Sequence, residues 1–239
     1  HGAQVRLPLL QAVNLVTRRP APAAAIGGRS AAGRNLFLVP WQGRALFGTW
    51  ESAGQRSPDS LVVNGADLDA FLVELNQAFP WVRLTREDVT LVHRGVVPAR
   101  VGSNGALALD GGELVFEHGA AGLDALVSVA GTKYTTARAV AERIVDRLFT
   151  WLDRPRRACA SAHLPLPQVA YTGDALLRHA AGAEMVVTLA DAVMRRTTLG
   201  ALGCPDAATL DRAAAVVGAE LGWSVDRQRD EIAALRRMY

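Results

Sequence analysis

Lysine is almost missing from this chain of 239 residues: Lys133 is the single example, against 25 arginines. A bias that places arginine wherever a cation will serve marks the one retained ammonium as a candidate for a specific task. An ammonium is compact and can close on a small group, whereas a guanidinium is a wide planar fork. Cysteine is scarce too. Cys159 and Cys204 stand far apart, which excludes a disulfide scaffold and a cysteine zinc site and makes a reducing, cytoplasmic setting the expectation. No metal site is expected. No apolar run reaches the roughly 18 to 20 residues of a membrane-spanning helix. A net charge of only +3 is too even for a dedicated nucleic-acid binder. Also missing is any Gly-x-Gly-x-x-Gly between a strand and a helix, the device that holds a dinucleotide pyrophosphate.

What is present is ample for a core, since half of the residues are apolar. The opening His1-Gly2-Ala3-Gln4-Val5 reads like mid-domain sequence, so a piece of a longer protein is expected. An apolar run from Gln11 to Thr17 precedes an Ala/Pro/Gly-rich stretch, Arg19 to Gly33, without periodicity, which reads as a connection. Asn35 to Trp41 and Ala45 to Trp50 flank Gln42-Gly43-Arg44 and predict a hairpin. Leu68, Phe71, Leu72, Leu75 and Phe79 follow helical spacing, with Asn64 or Asp67 able to cap and Pro80 closing the far end. Thr85 to Asp88 reads as a cap-like turn leading into a strand from Val89 to Pro98. Leu107-Ala108-Leu109 and Glu113 to Phe116 are joined by Asp110-Gly111-Gly112, which predicts a second hairpin.

Next comes the stretch that holds the lysine. Ala125 to Val129 reads as a buried strand. Ala137, Val140, Ala141, Ile144, Val145 and Leu148 then sit on one face of a helix, with Glu142, Arg143, Asp146 and Arg147 opposite. Gly131 to Thr136 is therefore a strand-to-helix turn. The first N–H groups of a helix favour negative charge, so the turn suits an anion or an electron-rich ring. It is not a P-loop, which needs a second glycine about five residues earlier. Prolines 155, 165 and 167 mark a boundary near residue 153, beyond which only helical stripes follow. These are Met185, Val186, Leu189, Ala192 and Val193; then Leu210, Ala214, Val217 and Leu221; then Ile232 and Leu235. Arg195-Arg196-Thr197-Thr198 resembles the start of a DNA-binding helix-turn-helix, but Glu184 and Asp191 share that helix, and Asp191 with Arg195 forms an ordinary i, i+4 pair.

In order and spacing, Val39-Pro40-Trp41 with Gly48-Thr49, the segment Thr85 to Val97, Gly131-x-Lys133-x-Thr135-Thr136-x-Arg138, and the helix from Glu184 to Thr197 resemble the C-terminal half of the FAD-dependent glycerol-3-phosphate dehydrogenases. These belong to the wider D-amino-acid-oxidase-like flavoproteins. The likeness spans nearly the whole chain. It implies an α+β fold: a mainly antiparallel substrate-domain sheet, a C-terminal return into an FAD-domain strand and helix, then a small all-α cap. The division falls into residues 1–153 and 154–239. The implied chemistry is oxidation of a secondary alcohol by hydride transfer to FAD, the substrate being glycerol 3-phosphate or a related polyol or hydroxy acid. Electrons would pass on to a quinone or to oxygen. A peripheral contact with the inner face of a membrane and a homo-oligomer stay open, as does a non-catalytic interaction module derived from the family.

The resemblance also implies roles. Gly131, Thr132, Lys133, Tyr134 and Thr135 would lie along the flavin, and Lys133 would also face the substrate. His93 and Lys133 are the candidate catalytic residues, His93 because alcohol oxidation needs a base. Arg94 is the candidate for the charged end of the substrate. Two positions depart from the family pattern. Val97 stands where an arginine of Gly-Val-Arg-Pro contacts phosphate, and Arg94 and Arg100 lie three positions away, an odd offset that turns a strand side chain to the opposite face. An unphosphorylated polyol, hydroxy acid or amine is the alternative substrate. Thr132 replaces the second glycine of Gly-Gly-Lys.

Overall fold

A computed structural model describes residues 5–239 apart from Asn104, Ala125, Thr132, Pro167 and Val169, and of Ser60 the backbone alone. The chain forms two compact units: residues 1–12, 51–62 and 94–168, and residues 13–50, 63–93 and 169–239. Among the described residues no helix is long and apolar enough to cross a membrane. The α+β expectation holds, with a mainly antiparallel sheet.

The second unit holds the large cores. Helix α1 (Gly65–Ala78) starts where the Asn64 side chain accepts a hydrogen bond from the Asp67 N–H at 2.8 Å, the predicted cap. Its Phe71, Leu72 and Leu75, followed by Phe79, are buried against a sheet of strands β1 (Leu9–Pro20), β2 (Ile26–Arg29), β3 (Asn35–Trp41), β4 (Arg44–Gln55) and β5 (Val89–Val101). Here the strands run in the order β2-β3-β4-β1-β5. Alternation puts Val13 and Leu15, Leu36 and Leu38, and Ala45 and Phe47 on the face beneath the helix. Each such fully buried side chain contributes roughly 1.5–3 kcal/mol. The β3–β4 hairpin forms as predicted, with Trp41 opposite Arg44. Both residues between them, Gln42 and Gly43, have positive φ (50° and 77°), as a tight two-residue hairpin requires.

The stretch from Arg19 to Gly33 is not the plain connection expected. It contains β2, whose Ile26 to Arg29 pair with Leu38 to Asn35. Four residues with two glycines carry no periodic signal, and the strand forms because the edge of β3 offers its backbone. Gly28 is required there, since a Cβ would lie 2.8 Å from the Ala78 carbonyl oxygen and from the Phe79 ring.

The C-terminal helices α3 (Gly173–Ala183), α4 (Ala207–Leu221) and α5 (Val225–Arg236) share a second core. Val186, Leu189, Ala192 and Val193 are buried as the stripe predicted, but Met185 is 88% exposed. The helix begins later than its apolar spacing suggests because the Asp191 carboxylate accepts from the Val187 and Thr188 N–H groups, at 3.2 and 2.9 Å, and holds that backbone outside the helix. The Asp191–Arg195 ion pair forms at 2.8 Å. Helix α3 had no counterpart among the stripes read from the sequence. In this unit the Trp41 indole N–H donates to the Ala201 carbonyl at 2.8 Å, tying the helical region to the hairpin.

The first unit is different. The C-terminal half of β5 pairs with β6 (Leu107–Leu109), and β7 (Leu114–Glu117) pairs with β8 (Val127–Ala130). The expected hairpin across Asp110-Gly111-Gly112 therefore does not form. Neither glycine takes positive φ; instead the Asp110 carboxylate accepts the Gly112 N–H at 3.1 Å and the Asp110 N–H donates to the Pro98 carbonyl at 3.0 Å, sending the two strands to different partners. Strand β8 is not buried, contrary to expectation, and no residue of helix α2 (Ala137–Trp151) is buried either. Its charged face is engaged: Arg147 meets Glu117 at 2.7 Å, and Arg143 meets Glu113.

The contrast predicts opposite responses to truncation. Leu75→Ala should cost about 2–5 kcal/mol of unfolding free energy in urea, whereas Val145→Ala, at a site 48% exposed, should stay within about 0.5 kcal/mol. Equal losses would contradict this distribution of the core.

Candidate functional site

The turn that carries the lysine is built as the sequence implied. β8 ends at Ala130, a single 3-10 turn spans Tyr134–Thr136, and α2 follows directly. The turn closes on the Lys133 carbonyl, which accepts from the Thr136 N–H at 3.3 Å and the Thr136 hydroxyl at 3.1 Å. This leaves the Lys133 side chain, exposed and with no ion-pair partner among the described residues. Its ammonium reaches toward the Gly111-Gly112 turn, 3.7 Å from where a Gly111 Cβ would stand.

A cavity of about 610 Å³ opens beside it, all of whose lining belongs to the first unit. Val96, Val97 and Val129 form strand-side wall, Val140 and Ile144 of α2 the helix-side wall, and Lys133 the polar edge. The volume lies in the range of small-molecule sites, and an apolar lining with few polar groups is usual for them. Glu113 also lines the cavity; its hydrogen bond with Arg143 holds its carboxyl below the ordinary range. Gly131 lines it without a packing reason of its own, as a Cβ there would meet only the Gly112 carbonyl oxygen, at 3.9 Å.

The sequence-predicted residues fall as follows. Gly131, Lys133 and Tyr134 share the cavity, with Tyr134 98% exposed. Thr135 is exposed on the same turn and Thr132 lies outside the described residues. Arg94 is exposed on β5 and does not line the cavity, while Val97 does. Arg138 is engaged by Glu142, one turn along α2, at 2.8 Å. His93 is half-buried on the β5 segment of the second unit, with no hydrogen-bond partner among the described residues. Sequence reasoning missed the glycine turn that the lysine approaches and the α2 wall. The α2 stripe was its signal, taken for an ordinary packing face.

The fold as a whole matches part of a flavoenzyme. The solved glycerol-3-phosphate dehydrogenase from Bacillus halodurans, described as complexed with FAD, superimposes with a TM-score of 0.65 at 19% identity, over 97% of this chain and 56% of that one. No family model matches the sequence. Individual relatives do: a Synechocystis glycerol-3-phosphate dehydrogenase is 31% identical over 135 residues, 56% of this chain and 24% of that protein. The mitochondrial enzyme of Saccharomyces cerevisiae is 33% identical over 129 residues, 50% of this chain and 19% of its own. The aerobic enzyme of Staphylococcus saprophyticus is 28% identical over 176 residues, 68% and 27%. Over the matched residues the chain is thus a relative of the glycerol-3-phosphate dehydrogenases, and it spans about a quarter of the length of these curated relatives.

Burial pushes the His93 imidazole below its ordinary value of 6.5. The unfolded chain then binds the extra proton first, so the stability linked to neutral His93 is complete above about pH 6.5 and is lost as pH falls toward the folded value. In His93→Gln, unfolding free energy should fall less between about pH 7 and pH 5 than in the wild type. Parallel pH profiles would count against a buried, neutral His93.

Proposed function

We propose that this chain is the substrate-facing and C-terminal helical part of an FAD-dependent oxidoreductase that oxidises a secondary alcohol. Residues 1–153 would serve as the substrate sheet with its return toward the flavin, and residues 154–239 as a helical domain. The observation that carries the reading is the unpaired Lys133 ammonium at the edge of an apolar cavity, on a strand-to-helix turn, in a chain related to the glycerol-3-phosphate dehydrogenases.

The residues fit one edge of a flavin. The cavity has room for a ring, Gly131 leaves its rim open to close approach, and Lys133 supplies an unspent positive charge. They do not fit the pyrophosphate end, for which the chain has no glycine-rich strand-to-helix turn. When bound, the flavin accepts the hydride. The chain supplies electrostatics and orientation: Lys133, with the first N–H groups of its turn, stabilises negative charge as it develops beside it. His93, the sequence candidate for taking the hydroxyl proton, does not line this cavity. A quinone or oxygen would serve as the onward electron acceptor.

The test is anaerobic reduction of the purified, flavin-loaded full-length protein by secondary alcohols, followed by absorbance. Lys133→Met should slow flavin reduction by roughly 100- to 1000-fold, the cost of losing one such charge-stabilising donor. A full-length protein that carries no flavin would sink the proposal, and so would an unaltered rate in Lys133→Met.

A further inference from the structure

We infer that residues 153–163 form a strap that closes back along α2 by charge alone and opens as ionic strength rises. Its contacts fall in chain order, so the strap runs antiparallel to the helix. The Arg154 N–H donates to the Phe149 carbonyl at 2.9 Å near the helix C-terminus. The Arg156 guanidinium then pairs with the Asp146 carboxylate, and the Ser161 hydroxyl accepts from Arg138 at 3.3 Å in the first turn. Arg138, Glu142 and Asp146 recur every four residues and so share one stripe of the helix. Arg143 and Arg147, which hold Glu113 and Glu117, form the neighbouring stripe. The strap therefore holds one polar side of α2 while those two glutamates hold the next.

No apolar anchor keeps the strap shut. Every residue from Asp153 to His163 is exposed, and α2 buries none of its own. From Arg154 to Thr172 the described residues form neither helix nor strand, and structureless stretches of such length in compact proteins are commonly lids or linkers. Exposed ion pairs are individually weak, because solvent screens the charges and two long side chains lose freedom in making them. The pair to Asp146 is the best placed. That carboxylate is 23% exposed against 65% for the Arg156 side chain, so its acidic half is already partly withdrawn from water. Salt acts directly on contacts of this kind, since the screening length falls from about 10 Å at 0.1 M to about 3 Å at 1 M. The apolar contact of α1 with its sheet has no charge to screen. Arg138 lies in the first turn of α2, which directly follows the 3-10 turn after Lys133. Opening the strap thus loosens the end of the helix nearest that lysine.

The test follows amide exchange by mass spectrometry in the full-length protein at about 0.1 and about 1 M NaCl. Peptides covering α2 should exchange about tenfold faster at the higher salt, and those covering α1 at an unchanged rate. Asp146→Asn should exchange fast at both concentrations. The charge swap, Asp146→Arg with Arg156→Asp, should restore slow exchange and its salt dependence, which a general loosening of the helix would not allow. Trypsin cleavage after Arg157, measured against a free peptide of residues 150–165 in the same buffers, reads the strap directly and should rise with salt by a similar factor. Salt-independent exchange in α2 overturns the inference, as does salt-independent cleavage. So does a folded Asp146→Asn that exchanges like the wild type, or a folded swap that stays fast. If a variant does not unfold cooperatively, the two wild-type measurements decide. Neither readout depends on flavin or on a substrate, so the outcome is separate from that of the proposed function.

Discussion

The packing of α1 onto its sheet is the interaction on which the second unit depends. Phe71, Leu72, Leu75 and Phe79 meet Val13, Leu15, Leu36, Leu38 and Phe47 with almost no residual exposure. The rings order the contact further: Phe47 and Phe79 meet edge to face at 6.0 Å, and Trp50 stacks on Phe71 at 6.1 Å. The same contact dictates local sequence. Gly28 must be glycine because the end of α1 comes down onto β2, and Asn76 reaches from α1 to Leu84, accepting its N–H at 2.7 Å and donating to its carbonyl at 2.9 Å. Core burial thereby positions the chain that enters β5.

The first unit follows another logic. Its α2 has a clear apolar stripe and a clear charged face, yet only the charged face is engaged, through Arg143, Arg147 and Arg138. A two-stranded ribbon such as β7–β8 has too little apolar area to stand without a helix or further strands against it. Here Glu117 of the ribbon and Glu113 just before it pair with Arg147 and Arg143 of α2, and Val129 with Val140 and Ile144 line a common cavity.

Charge is distributed with the same economy. Exposed arginines such as Arg86 and Arg212 are held bidentately by Asp69 and Asp174, and such pairs orient side chains more than they stabilise the fold. Among the described residues Lys133 has no such partner. A charge that the fold does not use and that lies at the edge of an apolar cavity is available to a ligand.

Much of this was legible from residue order. The α1 stripe, the Asn64 cap, the β3–β4 hairpin and the strand–lysine turn–helix succession all follow from short-range rules, because period, cap chemistry and positive-φ residues act within a few positions. The oddity of one lysine among arginines was equally plain, and so was the absence of a pyrophosphate-binding turn. Tertiary structure alone decided which strands pair: Asp110-Gly111-Gly112 has hairpin chemistry, but the Asp110 carboxylate and the reach of β5 send β6 and β7 apart. It decided that Ile26 to Arg29 is a strand, since only the edge of β3 makes it one. It also decided that Val96, Val97 and the α2 stripe share one cavity with Lys133. Residues so far apart in the chain meet through long-range packing, which no local pattern encodes, and that meeting is what turns a lone lysine into a candidate site.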